Sequence, residues 1–193
     1  MKKLLLLLSL SFTFTFTEAQ TDKGWRSVGG TGQLTLDFKN HTESFALAPE
    51  MYWFIGNNFA FGTDFGFGFM NSTTGDSIKT KYGSLWGYVT PGFRYFFGST
   101  DHKWRTYAFL NGGLEFNSSH SKTDNMSAVN SHGSGFKGYA GIGEQWFFNE
   151  HAAFDIRLHV IDFGLDNSLN PPKTDAQFHP TFSIGLQAYF HHE

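Results

Sequence analysis

Residues 59–70 read Phe59-Ala60-Phe61-Gly62-Thr63-Asp64-Phe65-Gly66-Phe67-Gly68-Phe69-Met70. Phe59, Phe61, Phe65, Phe67 and Phe69 share one face with Thr63, and Ala60, Gly62, Asp64, Gly66 and Gly68 occupy the other. A period of two marks a β-strand, whose successive side chains point to opposite faces. Five rings on one strand cannot share the lumen of a small barrel, which side chains only just fill. The phenylalanines therefore face outward. A sandwich could pack such a face on a second sheet, but its other face would meet water and carry Lys and Glu, not glycine, alanine and an isolated ion. A sheet closed on itself in lipid accounts for both faces.

The alternation recurs along the chain and predicts strands near 27–38, 44–55, 59–70, 82–97, 104–116, 135–148, 152–163 and 181–190. Each is long enough for the about 9–11 residues of a tilted membrane strand. The expected fold is all-β: an eight-stranded antiparallel up-and-down transmembrane β-barrel. Outward positions include Leu47, Met51 and Ile55, then Leu85, Val89 and Phe93, then Phe154, Ile156, Leu158 and Val160, and finally Phe182, Ile184, Leu186 and Phe190.

Three stretches align without gaps: PEMYWFIGNN at 49–58, PGFRYFFGST at 91–100 and IGEQWFFNEH at 142–151. Trp53, Tyr95 and Trp146 coincide, as a belt at one membrane interface requires, because amphipathic aromatics settle there. Each repeat runs into a short polar turn. The other connections run about 39–43, 71–81, 117–134 and 164–180, and the last two, with Ser, Asn, Asp, Gly and Pro, read as flexible loops. Short turns on the periplasmic side and loops outside orient the barrel, with both termini periplasmic.

Composition agrees. The chain holds 24 Phe and 22 Gly, yet after residue 17 no long apolar run appears, and mean hydropathy is −0.30. Met1-Lys2-Lys3, the apolar and hydroxyl run Leu4–Thr17 and Glu18-Ala19-Gln20 read as a secretory signal cleaved after Ala19. The run is too short for a spanning anchor. Residues 1–19 are thus a signal peptide and 20–193 one barrel domain. Without cysteine there is neither a disulfide framework nor a lipid-modified thiol. A formal charge of −3 offers no basic footprint for nucleic acid.

Inward positions carry Asp37, Glu50, Asp64, Arg94, Arg105, Glu115, Lys137, Asp155, Arg157 and His159. Buried ions must be paired, which predicts an interior salt-bridge and hydrogen-bond network spanning several strands. A polar conduction path is the alternative, but eight strands leave it little room. Of the nine histidines only His191 and His192 are adjacent, and no pair has zinc-ligand spacing with a third partner. No metal and no cofactor is expected.

The signal, the eight alternating strands and the aromatic strand ends resemble the small OmpA/OmpX-type outer-membrane barrel family over essentially all of 24–190. The final strand TFSIGLQAYF at 181–190 looks like the signal that such proteins show to the barrel assembly machinery, although here His191-His192-Glu193 follow Phe190. The resemblance implies outer-membrane lipids and lipopolysaccharide as partners, and a surface ligand at loops 71–81, 117–134 and 164–180. The resemblance is architectural, and architecture does not fix function; the expected role is non-enzymatic, either envelope-structural or surface-loop binding and adhesion, with a lipid A deacylase-like enzyme or a narrow channel or small-ligand binder as alternatives. His132-x-Ser134 with Glu144 loosely resembles the His-x-Ser…Glu arrangement of lipid A deacylase barrels, in which a carboxylate-oriented histidine activates a serine. HGSG lacks the usual Asn-Ala, the glutamate lies two residues too close, and the repeat puts Glu144 at the opposite strand end.

Overall fold

The computed structural model describes residues 21–37, 41–75, 79–99, 102–166 and 173–191. The expected signal peptide with its cleavage after Ala19 lies outside them, as do His192, Glu193 and residues 167–172. Eight strands follow in chain order: β1 (Trp25–Asp37), β2 (Thr42–Gly56), β3 (Phe59–Thr74), β4 (Thr80–Phe96), β5 (Trp104–Thr123), β6 (Val129–Asn149), β7 (Ala152–Asp166) and β8 (Lys173–His191). Each pairs antiparallel with the next, and β8 returns to β1 to close the barrel.

The faces follow the alternation. On β3, Phe61, Phe65, Phe67 and Phe69 stand 39–49% exposed on the outside, while Ala60 and Asp64 are buried within. The inward glycines are a steric necessity: a Cβ on Gly66 would lie 2.1 Å from the Tyr88 ring, and one on Gly62 2.5 Å from that of Tyr52. Large inward side chains on β2 and β4 are therefore matched to their absence on β3.

Three sequence expectations are corrected. The stretches 71–81 and 117–134 are mostly strand: β3 runs to Thr74, β4 starts at Thr80, β5 runs to Thr123 and β6 starts at Val129. Polar composition suggested loops, but the backbone ladder needs no apolar side chains once the membrane part has fixed the register. Polar pairs reinforce it, as between Thr80 Oγ1 and Thr123 Oγ1 at 3.0 Å and between His120 Nδ1 and Asn130 Oδ1 at 2.7 Å. Of the third stretch, 164–180, β7 takes the first residues and β8 those from Lys173. Secondly, the connection between β4 and β5, read as a tight turn, spans 97–103, with Gly98 at φ 81°. The tight ones are Asn57-Asn58, where Asn58 adopts φ 64°, and Glu150-His151.

Thirdly, Val160 does not continue the outward row. Ala140 pairs with Ile161 and Gly141 with His159, so Val160 is an extra residue in a β-bulge. The β8 register shifts at the same level, from His159↔Thr181 to Ile161↔Phe178, beside Pro180. Proline has no N–H for the ladder. Beyond the bulge Ile161 faces out, and Asp162 lines a cavity inside.

Candidate functional site

The lumen is built in layers. At its middle Glu50 (β2), Asp64 (β3), Arg94 (β4), Asp155 and Arg157 (β7) meet, each at most 3% exposed. Arg94 bridges Glu50 at 2.8 Å and Asp64 at 3.7 Å, and Arg157 donates to Glu50 and Asp155 and lies 3.8 Å from Asp64. Each carboxylate also accepts neutral donors. Tyr52 and Tyr139 hydroxyls donate to Asp64 at 2.8 and 2.7 Å, and the Tyr107 hydroxyl donates to Asp155 at 2.7 Å. Gln187 donates to Glu50, and Asn111 donates to the Tyr52 hydroxyl at 2.7 Å. The Arg94 guanidinium stacks 3.7 Å over the Tyr52 ring. Residues from β2 to β8 thus join one network, as buried ions require.

Below it, toward the Asn57-Asn58 turn, rings fill the lumen. Phe54, Phe96, Phe147 and Tyr189 are at most 3% exposed, with Phe96 and Tyr107 centroids 4.9 Å apart and Phe147 and Tyr189 5.0 Å apart. Arg105 caps this plug and donates to Thr21 Oγ1 at 2.8 Å and Asn58 Oδ1 at 2.7 Å. It is inward but belongs to a separate layer from the carboxylate cluster. Above the cluster His159 packs its ring 5.0 Å from Tyr139 and 5.2 Å from Phe109. Lys137 holds its ammonium 4.8 Å from the Tyr88 ring centre. Glu115 is half-buried higher up and forms no ion pair among the described residues. The Asp37 side chain lies outside what is described.

The tyrosines, Asn111 and Gln187 were missing from the sequence reading. So were Phe54, Phe96 and Phe147, although a signal existed. They align with one another in the three repeats, one residue after the belt, and so fall on the opposite face. The repeat therefore encodes two rings, a belt outside and a plug inside.

On the outer surface Trp53, Tyr95 and Trp146 all face out near the plugged end, and Trp104 extends the row by stacking on Trp146 at 5.6 Å. From Phe59 to Phe69 the strand covers about 33 Å, which at a tilt near 40° stands about 25 Å tall, the height of a membrane barrel's apolar band. Glu144 faces this surface at the belt and accepts the Thr106 hydroxyl at 2.8 Å. His132 and Ser134 sit on the same face at the far end of β6, opposite Ser118 and Phe116. Ten residues separate Ser134 from Glu144, about 33 Å of strand. The structure does not bring the three together.

The architecture is a closed barrel of eight antiparallel strands with an apolar outer surface. Neither a family model nor a curated relative matches the chain. Similar solved structures include the N-terminal β-barrel domain of Pseudomonas aeruginosa OprF, 13% identical, covering 87% of this chain and 98% of that one at a TM-score of 0.44. The attachment invasion locus protein Ail of Yersinia pestis is 15% identical, with 87% and 99% covered and a TM-score of 0.47. The outer membrane protein OprG from Pseudomonas aeruginosa is 15% identical, with 91% and 98% covered and a TM-score of 0.47. At such identities the likeness concerns architecture alone; the membrane reading rests on this chain's own apolar surface. Among the described residues no cluster of His, Asp and Glu could hold a metal ion.

Proposed function

We propose that this chain is an integral outer-membrane protein without catalytic activity. In this reading a filled barrel anchors a polar outer rim, which contacts lipopolysaccharide and presents its hairpin tips to surface ligands. The observation that carries the reading is the pairing of a plugged lumen with strands that outrun the apolar band. β5 and β6 continue past Phe116 and Phe136 through Ser, His, Asn and Lys residues. Outward Lys81 and Lys122 are direct cross-strand partners, both exposed. Like charges so placed repel unless an anion lies between them, which suits lipopolysaccharide phosphates. The tips within 71–81, 117–134 and 164–180 are the display positions.

Secretion by the leader, cleavage after Ala19 and insertion by the barrel assembly machinery through 181–190 belong to the same proposal. Membrane fractionation, N-terminal sequencing and a heat-modifiability gel test it together. A mature chain starting at Gln20, in the outer-membrane fraction and with heat-dependent mobility, is expected. A soluble periplasmic protein of fixed mobility rejects it. For the non-enzymatic part, mass spectrometry of lipid A with and without expression is expected to show no difference.

A further inference from the structure

The wall of the barrel is not sealed evenly. β1 and β8 pair from Trp25↔His191 to Gly32↔Ile184. Yet β1 continues along β2 to Asp37, and β8 lies along β7 from Lys173 onward. Beyond Gly32 and Ile184 the two strands have no mutual ladder among the described residues. The outward residues of β8 past that point are still apolar, Phe182 at 70% and Phe178 at 76% exposure. The parting therefore begins beside lipid, not above it.

Behind the seam lies a cavity of about 250 Å³. Its lining combines Lys137, Tyr88, Trp86 and Ser183 from the lumen with Gly32 and Phe182 of the outward rows, so it lies against the wall where the ladder ends. Outside, Gly30, Gly32, Pro49, Leu47, Ile184 and Leu186 form an apolar groove, and Gly32 and Leu47 line both spaces. The outer groove and the inner cavity thus border the same stretch of wall at the edge of the seam.

The groups lining the cavity call for an anion. Lys137 has the Tyr88 and Trp86 rings at 4.8 and 5.7 Å, and no carboxylate within ion-pair distance among the described residues. The other charges are engaged: Arg157 and Asp64 belong to the buried cluster, and Asp162 has its own partner. Ser183 Oγ, at the edge of the seam, is buried without a hydrogen-bond partner among the described residues. A cation and a hydroxyl beside an apolar groove match a carboxylate on an alkyl chain. We propose that the β1–β8 seam admits a long-chain carboxylate from the surrounding lipid, its headgroup on Lys137 and Ser183 and its chain in the Gly30–Gly32 groove. The site goes beyond the display role, which does not need it.

The test uses the full chain in phosphatidylcholine nanodiscs, titrated with 2-bromohexadecanoate. The bromine beside the carboxyl group quenches Trp86, whose ring lies 5.7 Å from the Lys137 ammonium. The signal is the quenching that disappears in Trp86→Phe. Saturable quenching is expected in the wild type. Lys137→Gln raises the half-saturating concentration at least tenfold, whereas Lys137→Arg stays within about threefold of wild type. Gly32→Leu abolishes saturation by filling the groove; a Cβ there meets only Leu47 Cδ2 at 3.6 Å and the Ala46 carbonyl at 3.9 Å. Heat-dependent mobility establishes that each variant is folded, and the two Lys137 variants carry the test should Gly32→Leu fail to fold. Absence of Trp86-specific saturation, a Lys137→Gln titration like the wild type, or undiminished binding by folded Gly32→Leu overturns the proposal.

Discussion

Arg157 shows how a buried charge becomes indispensable without being a net source of stability. Its guanidinium faces Glu50, Asp155 and Asp64 within one layer, and its removal leaves carboxylates stranded away from water. Arg157→Ala is expected to cost about 3–5 kcal/mol, read as a lower urea midpoint for unfolding from lipid vesicles. At Gly66 the constraint is volume: a methyl group must displace the Tyr88 ring from 2.1 Å. Gly66→Ala should cost about 1–3 kcal/mol by overpacking in the same measurement. Both effects begin inside, where side chains compete for a fixed space.

At the scale of a strand, depth decides what a substitution does. Phe65 lies midway along the apolar face of β3, so Phe65→Arg should destabilise by about 2–4 kcal/mol. Glu144 lies at the belt with a hydroxyl partner, and Glu144→Gln should change stability by less than about 1 kcal/mol. Unfolding of both variants in the same vesicles measures the contrast; equal costs would place the band elsewhere. The hairpin of β5 and β6 makes a different prediction. Its tip falls near Asn125, which adopts φ 63°, so an epitope inserted after Asn125 should leave folding intact and be stained on unpermeabilised cells. The same insertion after Gly112, inside the ladder, should abolish heat-modifiable protein.

For the whole molecule, the plug sets the expectation. Buried Phe54, Phe96, Phe147 and Tyr189 block the lumen beneath a paired charge layer. Planar bilayers containing the purified barrel should show no single-channel steps above baseline. Stable conductance would mean that the plug opens as a unit. The open β1–β8 seam makes the barrel asymmetric around its axis, so stability is expected to concentrate in the lower ladders. Amide exchange should be slow at Tyr107–Asn111 and faster at Gln33–Asp37, whose ladder, among the described residues, runs on one side only.

Alternation by itself determined the fold, because each strand in a closed membrane barrel must solve the same two-faced problem, and Phe59–Phe69 solves it in full view. It also determined which face Glu50, Asp64, Arg94, Asp155 and Arg157 occupy, and the repeats put Trp53, Tyr95 and Trp146 on one level of the outer surface. Alternation says nothing about height or partner. Only the tertiary structure decided that Arg105 caps a separate layer, that tyrosines and Gln187 complete the network, and that His132, Ser134 and Glu144 stand far apart. These depend on the stagger between neighbouring strands, a property of the ladder and not of any one strand. The extended rim and the Val160 bulge were hidden for a related reason: polar residues and an extra residue are held in strand by pairing across the sheet, which local composition does not record.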